Sequence, residues 1–296
     1  MLLWVNNKTM KWQEISITIA EEAGEAAADI FYAVGAQGLI IEDERSPLII
    51  RGYLPQDALW PDRWEKLKEG LNRLGRYFPD CLVGLSCKTV KEEDWANAWK
   101  AYYKPVRIGS RLVVKPSWEN YVPGSGEIII ELDPGMAFGT GTHATTAMAL
   151  EMLEKWLEPG ATVYDVGTGS GIIAIAAALL GAGRVVAIDN DPVALKAAQE
   201  NVERNGVADK VKVQQGDLLR GVKDLADLVV ANIVADVLLV LLPQASRVLR
   251  PGGHIILGGI ISPRSPEMRA ALKAEGFTLR AQKVQGDWVT LVARKG

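Results

Sequence analysis

Thr162-Val163-Tyr164-Asp165-Val166-Gly167-Thr168-Gly169-Ser170-Gly171, followed by Ile172-Ile173-Ala174-Ile175-Ala176-Ala177-Ala178-Leu179-Leu180, reads as an apolar strand that passes through a glycine loop into a helix. Gly167, Gly169 and Gly171 remove side chains that would hold a ligand away from the backbone amides. The helix that follows turns its unpaired N–H groups toward the same point. Downstream, Arg184-Val185-Val186-Ala187-Ile188-Asp189 is a second strand ending in an acid, the position from which doubly wound folds hydrogen-bond ribose hydroxyls. The two features together mark a nucleotide-type site.

The loop narrows the ligand. Its spacing is G-x-G-x-G rather than G-x-G-x-x-G, and Asp165 at its mouth does not favour a pyrophosphate. S-adenosylmethionine carries an adenosine for Asp189 to hold, no phosphate, and an ammonium and a sulfonium that Asp165 would attract. It is the expected cofactor, with Asp165, Gly167, Gly169 and Asp189 around it.

The chain of 296 residues is 48% hydrophobic, enough to bury a full core, and its length suggests two domains. No apolar run reaches the ~18 residues a membrane span needs, and the apolar part of Met1–Lys8 is too short for a signal peptide, so a cytoplasmic protein is expected. Cys81 and Cys87 flank one expected strand and read as reduced, partly buried thiols. With only two histidines, no multi-histidine metal site is expected. The net charge of −3 disfavours a protein that grips a phosphate backbone. Residues 1–95 carry 11 Lys+Arg against 16 Asp+Glu and the remainder 22 against 20, so an acidic first part suits a basic protein partner, or simply keeps the surface soluble.

Residues 11–19 alternate as a strand, 21–34 read as an Ala-rich helix, 38–43 and 48–54 as two strands, 60–77 as an amphipathic helix and 82–90 as a strand. That order, βαββαβ, is the ferredoxin-like split motif, expected over residues 1–91. Residues 92–104 read as a linker helix with Trp95, Trp99, Tyr102 and Tyr103. In the remaining domain, 105–296, short strands are expected at 111–115 and 127–132. A helix then follows Asp133 to Thr146 and runs to about Leu157. Strands at 162–167, 184–189, 210–215, 227–232 and 253–259, with helices at 171–180, 191–205, 235–249 and 264–276, call for a mostly parallel sheet covered on both faces. Residues 277–284 and 288–294 face each other across Gln285-Gly286-Asp287, which makes the last strand antiparallel.

Ligands bind beyond the carboxyl ends of such strands, where the winding reverses. Asp217 follows the third strand and is either a contact to the adenine edge or a helix cap. Asn232 ends the fourth, where a neutral amide can donate and accept toward a reacting amine; the other reading is a turn former. Thr142, Thr145 and Thr146 supply hydroxyls beside Gly139 and Gly141 in a second glycine loop that could cover a ligand. His143 is a base, a structural residue or a lid contact, and His254 a strand-entry residue.

The run Leu132-Asp133-Pro134-Gly135-Met136-Ala137-Phe138-Gly139-Thr140-Gly141-Thr142-His143, the glycine loop, Ile188-Asp189-Asn190-Asp191-Pro192 and Ala231-Asn232-Ile233 resemble the ribosomal protein L11 methyltransferases, the PrmA family. The similarity extends over nearly the whole chain, including Lys115-Pro116-Ser117-Trp118. The sequence departs at Ala144, Thr168 and Val234, where the family commonly has proline, cysteine and leucine; none of these removes a polar group named above. The resemblance implies a seven-stranded Rossmann-like methyltransferase domain behind a small ferredoxin-like α+β domain that recognises the ribosomal protein. It implies cofactor contacts at Thr146, Gly167, Asp189 and Asn232. It also implies methylation of amino groups, lysine side chains and the N-terminal amine, on a basic protein of the large subunit.

Methyl transfer is an in-line displacement that mainly needs the nucleophile held near the methyl carbon. A lysine amine must first lose a proton, which costs about 4 to 5 kcal/mol at neutral pH. Desolvation near the sulfonium lowers that cost and solvent can take the proton, so Asn232 is expected to orient the amine without an indispensable base. The alternatives are a methyltransferase acting on another protein, RNA or a small molecule, a nicotinamide oxidoreductase, or a non-catalytic cofactor-binding protein.

Overall fold

A computed structural model describes residues 11–36, 39–42, 47–91, 103–133 and 143–296. The chain divides into two compact units, Met1–Tyr103 and Lys104–Gly296. Residues 92–102 of the expected linker helix, the turn at 43–46, and Phe138 to Thr142 of the second glycine loop lie outside the described residues.

In the first unit β1 (Lys11–Ile19), α1 (Gly24–Ala33), β2 (Leu39–Glu42), β3 (Leu48–Pro55), α2 (Trp60–Leu74) and β4 (Leu82–Lys91) follow one another. The strands pair antiparallel in the order β2-β3-β1-β4, the ferredoxin-like arrangement. Alternation along β1 explains the layering. Ile15, Ile17 and Ile19 are fully buried with Phe31 of α1 and Leu67 of α2, while Glu14, Ser16 and Thr18 stay half-exposed on the other face. One expectation needs correction. Cys81 is buried just before β4, but Cys87 does not flank the strand: it lies inside it and is exposed, its Sγ donating to Gln13 Oε1 at 3.3 Å.

The second unit opens with a three-stranded sheet of β5 (Val106–Ile108), β6 (Leu112–Lys115) and β7 (Ile128–Glu131). Strand β5 has three residues, too few for an alternating pattern to show in the sequence. Then come α3 (Ala144–Trp156), β8 (Thr162–Val166), α4 (Ile172–Leu179), β9 (Arg184–Asp189), α5 (Pro192–Arg204), β10 (Val211–Gln215), β11 (Ala226–Asn232), α6 (Ala235–Val248), β12 (Leu249–Ile261), α7 (Ser265–Ala274), β13 (Phe277–Gln285) and β14 (Trp288–Lys295).

The large sheet has seven strands in the order β10-β9-β8-β11-β12-β14-β13. Its first five are parallel, and β14 is antiparallel to both neighbours. Successive strand residues face opposite layers. Val163, Val185 and Val230 pack toward α3 and α4, whereas Tyr164, Val186 and Val229 pack toward α6. Helix α4, Ile-Ile-Ala-Ile-Ala-Ala-Ala-Leu, is apolar on every side and buried from Ile172 to Ala178. Strand β12 is longer than the expected 253–259 because Leu249 already pairs with Ala226, before a register slip at Ala226/Leu228. Among the described residues no helix is long and apolar enough to cross a membrane.

Candidate functional site

Between β8 and β11 the strand order reverses direction, and the carboxyl ends of these strands open into a cleft of about 980 Å³. The glycine loop forms one wall. Gly167 has φ +72°, and a Cβ there would lie 2.4 Å from Ile233 Cγ2; Gly171, at φ +84°, caps α4 against the Ala198 backbone. Gly167 and Thr168 both donate their N–H to Ile188 O, at 2.8 and 3.0 Å, which ties the loop to the end of β9.

Asp189 is fixed from both sides. Its Oδ2 accepts from Gly169 N at 2.9 Å and its Oδ1 from Asp191 N at 3.0 Å, while Asp191 caps α5 by accepting from Val193 N at 2.8 Å. The carboxylate is half-buried and lines the cleft. The charged groups on the cleft wall are Asp189, Asp191, Asp217 and Asp236, and none of the described lining residues is Lys or Arg. Arg220 and Arg264 pair with Asp217 and Asp236 at 2.6 and 2.9 Å, which leaves Asp189 and Asp191 to favour a cation over a phosphate here.

Asp165 stands elsewhere. It does not line the cleft; it is fully buried beneath the loop, where Oδ2 accepts from Thr168 Oγ1 at 2.5 Å and from Ala174 N at 3.1 Å. Its Oδ1 has no partner. Burial pushes its carboxyl up to about 7 against the pull of those two hydrogen bonds, and the neighbouring Asp189 adds to the rise. The expected contact of this side chain with a cofactor is therefore not made through the cleft wall. Asp217 does line the cleft, exposed and paired with Arg220 at 2.6 Å. Residues 217–221 form turns rather than a helix, which removes the cap reading. Leu218 beside it holds φ +54°, a left-handed conformation uncommon outside glycine, on the cleft wall.

At the other end, Asn232 Nδ2 donates to Thr145 Oγ1 at 3.3 Å and to Thr146 Oγ1 at 3.4 Å. Its Oδ1 is buried without a partner, and Gly258 leaves room for it, since a Cβ at 258 would come within 2.6 Å of that oxygen. His143 caps α3 with Nδ1 accepting from Thr145 N at 3.3 Å and contacting Thr145 Oγ1 at 2.8 Å. Burial lowers its pKa. The capping bond occupies the Nδ1 lone pair, so the ring is a cap in its neutral form and not a base on that nitrogen. Trp288 packs edge-on to His143, ring centroids 5.4 Å apart, and also lines the cleft.

Thr146, Gly167, Gly169, Asp189, Asp217 and Asn232 thus meet on one cleft, and Thr142 lies outside the described residues. His254 packs on Trp156 at 5.0 Å, away from the lining residues. Trp288, Leu218 and the exposed Val234, Asp236 and Val237 were not singled out as site residues from the sequence. The signal for Trp288 was topological: an antiparallel β14 beside β12 begins at the cleft end of the sheet. Among the described residues no group of His, Cys, Asp and Glu could hold a metal ion.

These residues fit a cationic nucleoside cofactor without phosphate. The glycine cradle leaves no room for side chains, and the charged groups on the wall are carboxylates. Comparison with known proteins agrees. The family model described as Ribosomal protein L11 methyltransferase (PrmA) matches residues 11–296. A protein of that name from Pelotomaculum thermopropionicum is 49% identical, the match covering 96% of this chain and 99% of the relative; one from Desulfitobacterium hafniense is 45% identical over 96% and 98%. The crystal structure of ribosomal protein L11 methylase from Lactobacillus delbrueckii subsp. bulgaricus, 39% identical, superposes with a TM-score of 0.62 over 66% of this chain and all of that one. The chain belongs to the ribosomal protein L11 methyltransferase (PrmA) family.

Proposed function

We propose that the protein transfers methyl groups from S-adenosylmethionine to amino groups of ribosomal protein L11, lysine side chains and the N-terminal amine, in the cytoplasm. The observation that carries this reading is a cleft that brings the glycine loop, Asp189, Asp217 and Asn232 together, with only carboxylates as the charged groups on its wall. Such a wall accepts a cationic cofactor and a cationic substrate side chain, and it opposes RNA phosphates. The cofactor supplies an activated methyl on sulfur. Asp189 holds the ribose hydroxyls, Gly167 and Gly169 bring the backbone close, Asp217 faces the adenine edge, and Thr146 and Asn232 lie toward the reacting end. Thr142 belongs with these contacts as a hydroxyl of the second glycine loop. His143 does not act as a base through Nδ1, whose lone pair is spent on its cap, and solvent takes the amine proton. The unit Met1–Tyr103 recognises L11, since residues 1–95 carry the acidic excess that a basic protein needs.

One experiment tests the whole reading. The full chain and a chain of residues 104–296 are incubated with methyl-labelled S-adenosylmethionine and either purified L11 or ribosomal RNA. Label should enter L11 with the full chain alone, while calorimetry shows cofactor binding by both chains. Label in RNA overturns the substrate, and full-rate labelling by the shorter chain overturns the recognition role. Asp189→Ala should weaken cofactor binding by about 1.5 to 3 kcal/mol, because it deletes a charge-assisted acceptor and frees Gly169 N. Unchanged calorimetric affinity would remove Asp189 from the site.

Gly258→Ala separates fold from chemistry. The new methyl meets the tip of a side chain, Asn232 Oδ1, and not backbone, so the amide swings aside at little cost to stability. The unfolding midpoint should stay near wild type while methyl transfer at saturating cofactor falls about tenfold. Wild-type turnover in this variant would show that the placement of Oδ1 is immaterial.

A further inference from the structure

Helix α5 makes contacts at both ends that the cofactor role of Asp189 does not explain. Its head is the Asp191 cap, whose N–H holds Asp189 Oδ1. Its last turn presents Asn201, Arg204 and Asn205, at helical spacings of three and four. Asn201 is buried, and its Nδ2 donates to Ser170 O at 2.9 Å, inside the cofactor glycine loop. Asn205 pairs with the last residue of β7 as another strand would. Glu131 N donates to its Oδ1 at 2.8 Å, and its Nδ2 donates to Glu131 O and to Asn201 O, each at 2.8 Å. Arg204 Nη1 donates to Asp133 Oδ2 at 2.6 Å, and Ser117 holds the same carboxylate with its N–H at 2.7 Å and its hydroxyl at 3.0 Å.

We infer that Asn201 and Asn205 are positioning residues for methyl transfer. Asn201 sets the glycine loop that receives the cofactor, and Asn205 sets the end of β7, from which the chain continues toward His143, Thr145 and Thr146. At Asn205 only an amide serves, because Glu131 O takes a donor and Glu131 N an acceptor from the same side chain, while at Asn201 the carbonyl of the buried Ser170 needs a donor. Aspartate has no donor, and its charge would face a carbonyl oxygen. One helix thereby joins the acid that holds the ribose, the loop that cradles the cofactor, and the end of β7.

The inference rests on the reading of the cleft as an S-adenosylmethionine site, and the wild-type control tests that reading separately. The test uses the full chain as wild type, Asn201→Ala and Asn205→Asp. It measures calorimetric affinity and stoichiometry for S-adenosylmethionine, the unfolding midpoint, and single-turnover transfer to L11 per cofactor-binding site. Asn201→Ala should raise the dissociation constant about tenfold with the saturated rate per site kept, whereas Asn205→Asp should lower that rate about tenfold with affinity kept. A purely structural role gives a different result: a lower midpoint and fewer binding sites, each with wild-type affinity and rate. That outcome, or wild-type values in both variants, or affinity and rate falling together in both, overturns the inference. A wild type that binds no cofactor overturns the functional reading instead.

Discussion

Asn232→Ala should lower the single-turnover rate of methyl transfer at saturating cofactor by about 100-fold, roughly 2.7 kcal/mol in the barrier, with cofactor affinity changed by no more than about threefold. Thr145 and Thr146 take the Nδ2 hydrogens, which turns Oδ1 away from them, and that oxygen is buried with no partner of its own. Those two bonds fix the amide at the carboxyl end of β11, beside the glycine loop, so its orientation is set before substrate arrives. Asn232→Asp should keep part of the rate, because threonine hydroxyls can donate to a carboxylate where they accepted from an amide. The pH profile should shift with the added charge. If Asn232→Ala raises only the cofactor dissociation constant and transfer in the saturated complex is untouched, Asn232 is a binding residue and the amine is oriented by another group.

The parts of this site that were legible in the sequence are those in which chemistry sits on a regular element. The strand, glycine loop and helix from Thr162 to Leu180 impose backbone conformations that few residues other than glycine adopt, and Asp189 and Asn232 end apolar strands whose direction follows from the pattern. The parallel sheet and the closing hairpin were legible for the same reason.

What was not legible depends on how individual side chains turn and pack, near or far along the chain. Asp165 has the residue type and position of a cofactor contact, yet its rotamer is decided by Thr168 Oγ1 and Ala174 N, which turn it under the loop. Asp217 precedes a turn whose left-handed Leu218 no propensity suggests. Trp288 reaches the cleft only because β14 inserts between β12 and β13, and the tie between Asn205 and Glu131 spans 74 residues. Local patterns place elements; these side chains are placed by packing between elements.

The largest effect on stability should come from Asp165→Asn, and it should depend on pH. The wild-type carboxyl, pushed up to about 7 from an ordinary value of 3.8, stays protonated in the folded chain where the unfolded chain has already ionised. Its contribution is whole below pH 3.8, is lost as pH rises toward 7, and by then amounts to about 4 kcal/mol of destabilisation that stays constant above. Asparagine mimics the neutral acid: its Oδ1 can still accept from Thr168 and Ala174, and nothing ionises. Denaturant titrations should therefore find Asp165→Asn more stable than wild type at pH 8, with the gap shrinking by more than half at pH 5. A gap independent of pH, or a variant less stable at pH 8, would mean that Asp165 does not titrate as its burial dictates. Cofactor affinity should move the other way. Above pH 7 the wild-type loop has a negative charge beneath it, beside Asp189, which attracts the sulfonium and ammonium of S-adenosylmethionine; the variant has none. Asp165→Asn should then bind the cofactor several-fold more weakly at pH 8 and nearly as well as wild type at pH 6. Calorimetry at the two pH values measures that difference directly, and equal affinity of the two proteins at pH 8 would show that the buried charge does not act on the cofactor.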